Sequence, residues 1–299
     1  MRTSVIEVAP AKINLALHVL GQRADGYHNL QSLVTFTDIA DEIRVEAADD
    51  SKASVSGPFG HGLDMDASNL VCRAARGWQA ACGGQHPDVH LHLTKNLPLA
   101  SGIGGGSADA AATLRALGRL FDAALPAHSL EAIALSLGAD VPMCLSNSPA
   151  LVEGVGEKLS PVALPSFPIV LINPGVGIAT PTVFAALAHK NNPPLSALPH
   201  MEGSHQVGDA GVWLDWMKAQ RNDLEAPAIG LVPPIADGLS AMGAQAGCRL
   251  SRMSGSGATC FGLFEDDAHA AKAAKALAQA LPDWWVQVGR TMCDENRKL

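Results

Sequence analysis

The sequence predicts an α+β fold in two domains. Three observations carry that expectation: a β-rich opening, a glycine-dense loop at residues 95–113 that turns at once into an alanine-rich helical pattern, and a second half that alternates strand and helix. With 299 residues and 47% hydrophobic content, the chain exceeds the usual single domain and can fill two cores. A Pro-rich stretch at residues 160–168 is a natural boundary, which gives domains 1–160 and 161–299.

Residues 3–8 have β character, interrupted at Pro10. From Lys12 to Val19 the chain alternates strictly, with Ile13, Leu15, Leu17 and Val19 on one face and Lys12, Asn14, Ala16 and His18 on the other. Lys12 and Asn14 therefore point the same way, about 7 Å apart by the usual strand rise. Asp25-Gly26 marks a turn, and residues 30–37 and 43–47 read as two further strands of an antiparallel set. Residues 49–67 are polar and Gly-rich, a surface excursion, after which Ser68 or Asn69 caps a helix through about Ala81. Residues 89–94 return as a strand. His90 and His92 share one of its faces, and with no third ligand in view they read as a solvated face rather than a metal site.

The loop that follows places glycines at 102, 104, 105 and 106 ahead of Ser107. So little side chain lets backbone N–H groups converge on a ligand, and the N-terminus of the next helix adds partial positive charge, so the loop suits phosphate. A Walker loop is excluded, because Ser107 stands where its lysine should be. Gly102, Gly104 and Ser107 also fit a dinucleotide-binding G-x-G-x-x-S with Asp122 downstream, but the helical pattern runs on to Phe121 without the required second strand. On spacing alone, that site and a plain glycine turn both stay open.

In the helix after the loop, Asp109 reads as a first-turn acid favoured by the dipole. Leu114, Leu117 and Phe121 keep helical spacing, and Arg115 and Arg119 take another side. A second helix over 130–137, capped by Ser129, stops at Gly138. In Ala139-Asp140-Val141-Pro142 the proline is expected to hold Val141 extended and to present Asp140 on a fixed corner, a place more often filled by a turn residue than by a catalyst.

The second half begins with a buried strand at 169–173, a Pro174-Gly175 turn and a helix over 180–188 with Thr180-Pro181 at its start. Residues 189–211 form a long irregular stretch, expected to be a mobile loop, whose three histidines do not suffice for a metal site. Helices are expected at 212–218 and 235–245. Residues 252–259 form a second glycine-rich turn, whose small side chains imply close approach to a neighbouring element or a ligand. A strand at 260–264, an amphipathic helix at 268–281 and a strand at 285–288 complete the chain.

A net charge of −8 without a basic cluster argues against nucleic acid or an anionic membrane as partner. Six scattered cysteines, none in C-x-x-C spacing, read as reduced thiols of a cytoplasmic protein. The N-terminus lacks the apolar core of a signal peptide and no run is long enough to span a membrane, so neither secretion nor insertion is expected.

Three stretches in this order, PAKINLALHVLGQRADGYHNLQS, LPLASGIGGGSADAAATL and SGSGATCFGLF, resemble the GHMP family of small-molecule kinases. GADVP at 138–142 and NPGVGIATPTVF at 173–184 extend the likeness over most of the chain. The resemblance implies a GHMP kinase fold: a β-rich N-terminal ATP-binding domain like domain 2 of ribosomal protein S5, a ferredoxin-like C-terminal α/β sandwich, and an active site in the cleft between them. AKINLALHV with DGYH further implies transfer of the ATP γ-phosphate, with Mg2+, to the 2-hydroxyl of a cytidyl-bearing methylerythritol in non-mevalonate isoprenoid synthesis. A small-molecule partner and a monomer or weak homodimer are expected.

Carried over by resemblance, Pro98, Leu99, Ala100, Ser101, Gly102, Ile103, Gly104, Gly105, Gly106, Ser107 and Ala108 would hold the ATP phosphates, with Asn69 near adenine. Asp140 matches the family's catalytic base and Lys12 the lysine beside it. Asn14, Tyr27, His28, Thr180 and Phe184 match positions associated with the cytidyl substrate, and the 255–259 turn matches a third family motif. One departure stands out: the family loop opens with more glycine, where this chain has Ala100-Ser101.

Overall fold

The computed structural model describes residues 3–199 and 208–293. It divides into two compact units that do not follow chain order. Unit 1 takes Met1–Ala11, Ala40–Leu99 and Gly104–Asn147, and unit 2 takes Lys12–Ile39, Ala100–Ile103 and Ser148–Leu299. Two long strands, β1 (Ser4–Gln22) and β2 (His28–Ala48), contribute one stretch to each unit.

Both strands are longer than the sequence pattern suggested. Pro10 does not break β1, because proline removes a donor while keeping an extended backbone, which a strand tolerates where the ladder needs no N–H. Nor does β2 turn between residues 37 and 43. Its two aspartates there are committed elsewhere: Asp38 accepts the Arg290 N–H in unit 2, and Asp41 accepts the N–H groups of Asn96 and Leu97 in unit 1.

In unit 1 the second part of β2 pairs antiparallel with β4 (Asp88–Thr94), Ile43 opposite Leu93 and Val45 opposite Leu91. The supposed surface excursion contains a further strand, β3 (Lys52–Ser56), parallel to β4. Its Lys-Ala-Ser-Val-Ser alternation was the signal, diluted by the surrounding glycines. Four helices follow: α1 (Leu70–Ala81), α2 (Gly105–Phe121), α3 (Ala127–Leu137) and α4 (Val141–Ser146). Asn69 caps α1, its side chain accepting the Val71 N–H at 3.0 Å. The small buried face of α2, with Ala108, Ala111 and Ala112, permits close helix packing, and Trp78 of α1 stacks on Phe121 with ring centroids 5.5 Å apart.

Two helix starts differ from expectation. α3 begins at Ala127 behind Pro126 and without a side-chain cap, so Ser129 lies inside it. Val141 is helical rather than extended, because Pro142 sits in the first turn of α4, where a missing N–H costs nothing.

In unit 2 the first part of β2 pairs with β5 (Ala150–Gly154), which pairs with β6 (Lys158–Pro161). A separate antiparallel sheet of β7 (Pro168–Asn173), β8 (Cys248–Met253), β9 (Cys260–Phe264) and β10 (Trp285–Arg290) runs in the order β10-β7-β9-β8, the ferredoxin-like arrangement. Its helices are α5 (Thr180–Ala185), α6 (Ala210–Lys218), α7 (Glu225–Leu231), α8 (Pro234–Gly243) and α9 (Asp267–Ala280). The core gathers Val170 and Ile172 of β7, Phe264 of β9, Met242 of α8 and Leu277 of α9. The sequence pattern had missed α7, masked by Pro227 and Gly230, and β8. Residues 189–199 carry no helix or strand, yet Asn192 donates its N–H to Val19 O at 3.1 Å, while residues 200–207, with His200 and His205, lie outside the described residues.

Candidate active site

Gly104 sits at the N-cap of α2 with φ 66°, a left-handed conformation suited to glycine, and no side chain caps the helix. By helix geometry the first amides of α2 have no intrahelical partner, so the N–H groups of Gly105, Gly106 and Ser107 are turned to whatever lies ahead of the helix. A Cβ on Gly105 would come within 3.0 Å of Lys95 Nζ. That lysine, just before the loop, is 1% exposed and bridges two carboxylates, Asp41 Oδ2 at 2.5 Å and Asp109 Oδ2 at 2.6 Å.

Asp109 is therefore not an acid serving the helix dipole. It is 3% exposed in α2 and faces inward. Burial pushes its carboxyl up to about 8, with Asp41 adding to the rise and Lys95 opposing it. For Lys95, burial works against the charged form, but Asp109 and Asp41 outweigh it and hold the ammonium above its usual range. The cluster was visible in part: Lys95 keeps phase with Val89, Leu91 and Leu93, the buried face of β4.

The other candidate residues of unit 1 stand as follows. Pro98 and Leu99 lead from the Lys95 anchor toward the loop, and Leu99 is exposed. Asp140 is the N-cap residue of α4 in a helical conformation. Asn69 is engaged at its own helix, with Nδ2 donating to Asp64 O at 2.8 Å. His90 pairs with Asp50 and His92 lies between the hydroxyls of Ser54 and Ser56, a solvated strand face as expected. Among the described residues no group of three potential ligands could hold a metal ion.

Unit 2 holds the first part of the loop by its carbonyl groups. Ala100 O accepts from Ile178 N–H, Ser101 O from Thr259 N–H, Gly102 O from Ser254 Oγ and Ile103 O from Lys12 N–H. A Cβ on Gly102 would strike Gly257 N and Ser254 O at 2.6 Å, so the two glycine-rich turns interlock backbone to backbone. The second turn is fixed in its own right. Asn222 Nδ2 donates to Met253 O and Gly255 O, and the buried guanidinium of Arg252 donates to the carbonyls of Leu15, Met217 and Gln220. Ala100, at the departure from the family loop, has φ 48°, where glycine is the unstrained choice.

Lys12 and Asn14 lie on β1 and both are buried, so this face of the strand is as covered as the apolar one. Asn14 Nδ2 donates to Ser32 Oγ at 2.8 Å, which fixes the amide, and its Oδ1 is left buried without a hydrogen-bond partner. Nearby in sequence, His28 stacks on Phe184 with ring centroids 4.7 Å apart, and His28 Nε2 is likewise buried and unpartnered. Burial foremost, with Lys190 adding, lowers the His28 pKa and keeps the ring neutral. Thr180 Oγ1 and Ser256 Oγ lie 2.8 Å apart, while Tyr27 is 66% exposed on its turn. Two orphaned polar atoms and an aromatic stack suit a flat heterocycle with hydrogen-bonding edges.

Comparison with known proteins gives the family. The GHMP kinases N terminal domain matches residues 69–148 and the GHMP kinases C terminal domain residues 201–283. A 4-diphosphocytidyl-2-C-methyl-D-erythritol kinase of Rhizobium etli (strain CIAT 652) is 51% identical over 289 residues, covering 96% of this chain and 95% of its own. One from Cereibacter sphaeroides (strain ATCC 17025 / ATH 2.4.3) is 50% identical over 284 residues, covering 94% and 97%. A crystal structure of 4-(cytidine 5'-diphospho)-2C-methyl-D-erythritol kinase superposes with a TM-score of 0.78 at 36% identity, covering 96% of this chain and 99% of that one.

Proposed function

The chain belongs to the GHMP kinases and is an ATP-using small-molecule kinase, and from that premise we propose how its own residues phosphorylate 4-diphosphocytidyl-2-C-methyl-D-erythritol. The substrate is that of relatives about half identical over nearly the whole chain, and this is the observation that carries the reading. It places the reaction in isoprenoid biosynthesis: the 2-hydroxyl takes the γ-phosphoryl group, giving the 2-phosphate and ADP.

Phosphoryl transfer depends on alignment and on compensation of negative charge more than on covalent chemistry. The uncapped first turn of α2, from Gly104 to Ala108, supplies amides for the ATP phosphates, and Ala100 to Ile103 give the approach to it a fixed backbone path. A magnesium ion bound with the nucleotide would neutralise phosphate charge. Asn69, at the cap of α1, is assigned to the adenine side.

The acceptor is a tertiary alcohol, weakly acidic and crowded. As its oxygen forms the bond to phosphorus and the bond to the ADP oxygen breaks, the Asp140 carboxylate takes the hydroxyl proton. Lys12 compensates the charge that develops on that oxygen. Asn14 Oδ1 and His28 Nε2 are assigned to the cytosine edge and Phe184 to aromatic stacking, with Thr180 and Tyr27 bordering the cytidyl group. The two family matches fall on either side of residue 160, the boundary assigned to domains 1–160 and 161–299, although the compact units interleave before it. A cytoplasmic protein is inferred from six cysteines without a disulfide, working as a monomer or weak homodimer without nucleic acid.

The test is ADP release from purified protein given ATP, magnesium and the cytidyl substrate, with each omitted in turn. Asp140→Asn and Lys12→Ala are expected to lose about 10²-fold or more of kcat while still binding ATP, the scale of a lost acid–base group. Full turnover in both variants, or equal phosphorylation of an acceptor lacking the cytidyl group, would overturn the assignment.

A further inference from the structure

We infer that Asp41, Lys95 and Asp109 are positioning residues for nucleotide binding, a buried charged clasp that ties the segment before the glycine loop to the helix after it. The inference rests on the ATP-loop assignment above. Its members come from β2, the residue that follows β4, and α2. Asp41 on β2 uses Oδ1 to accept the N–H groups of Asn96 at 2.5 Å and Leu97 at 2.8 Å, fixing the two residues that lead to Pro98. Asn96 Nδ2 adds a bond to Ala40 O at 3.1 Å. The other oxygen of Asp41 and one oxygen of Asp109 both accept from Lys95 Nζ.

The connection to the phosphate amides is short. Asp109 lies four residues after Gly105 in α2, one helical turn, and Thr113 Oγ1 donates back to Asp109 O at 2.8 Å, keeping that turn regular. Lys95 Nζ lies close enough to Gly105 that a methyl group there would touch it. The lysine backbone is itself gripped, its N–H donating to Ser56 O and its carbonyl accepting from Phe59 N–H. Both ends of the loop within unit 1 are therefore referred to one lysine, whose ammonium bridges the two acids and whose backbone is held by β3 and the turn after it.

The charge balance fits an anion site. One lysine and two ionised aspartates would leave a net negative charge directly behind amides meant for phosphate. Asp109 Oδ1 is buried without a hydrogen-bond partner, as a carboxyl that retains its proton near neutral pH can be. The charges acting on it are Lys95 and Asp41, and with Asp109 protonated the clasp is neutral and does not repel the ligand.

The experiment measures binding of magnesium and a non-hydrolysable ATP analogue, and separately of the cytidyl substrate, to the wild type, Asp109→Ala and Asp109→Asn. Asp109→Ala cuts the tie between Lys95 and α2 and is expected to weaken the nucleotide about tenfold, the scale of one charged hydrogen bond, with the cytidyl substrate bound as before. Asp109→Asn keeps an acceptor for Lys95 and is expected to recover most of that loss. Unchanged nucleotide affinity in Asp109→Ala overturns the inference, and so does parallel loss of both ligands, which would mark a merely structural role. Failure of the wild type itself to bind the nucleotide would instead defeat the loop assignment on which the inference stands.

Discussion

The two stretches of the glycine loop are held by opposite means. From Gly104 onward, in unit 1, the anchor is a buried charged cluster: the Lys95 ammonium between the Asp41 carboxylate and the Asp109 carboxyl, with Asp41 also accepting the N–H groups of Asn96 and Leu97. From Ala100 to Ile103, in unit 2, the loop itself is held by neutral bonds: carbonyl groups received by the N–H groups of Lys12, Ile178 and Thr259 and by a serine hydroxyl, while Asn222 and the buried guanidinium of Arg252 fix the partner turn. Buried charges define a geometry sharply but fail badly when one partner goes, because the remaining ion has no water to turn to. Neutral bonds fail one at a time.

Three substitutions test that contrast, in falling order of effect. Lys95→Met leaves the Asp41 carboxylate and the Asp109 carboxyl buried without the ammonium they share and is expected to cost about 3–5 kcal/mol of unfolding free energy in denaturant titration. Asn222→Ala leaves the carbonyls of Met253 and Gly255 without their donor and is expected to cost about 2 kcal/mol. A cost equal to that of Lys95→Met would erase the distinction. Ala100→Gly has the opposite sign: it removes a side chain from a left-handed backbone and is expected to stabilise by about 0.5–1 kcal/mol after the extra freedom glycine gains on unfolding. A loss on that substitution would show that the alanine methyl is packed to a purpose.

Local pattern carried the sequence-based expectations where chemistry and position are set by the same few residues. The glycine loop with its helix, a cap at Ser68 or Asn69, a strand at 169–173 and the strand–helix alternation of the second half were legible, because caps, turns and apolar runs are written within a dozen residues. The misses share a cause. Pro10 and the Asp38–Asp41 segment looked like breaks because the contacts that keep them extended come from residues far along the chain. Asp109 looked like a helix-dipole acid because its partner, Lys95, lies on another element, and only the strand phase of Lys95 hinted at burial. Pro142 reads as holding Val141 extended, whereas it sits in the first turn of a helix that begins at Val141. The orphaned Asn14 Oδ1 depends on Ser32 turning the amide, which no spacing rule contains.

The segments composing each unit are interleaved along the chain, and this governs how the molecule can be made. A ribosome emits residues 12–39 early, yet the bulk of their compact unit, from Ser148 on, arrives last. The nascent chain must carry extended, apolar β-segments without their final neighbours until synthesis is nearly done, a period of exposure in which chaperones or aggregation can claim it. For the same reason, a cut near residue 160 would not yield two self-sufficient modules, and a gene fragment ending there would encode a protein short of partners for its own first strands.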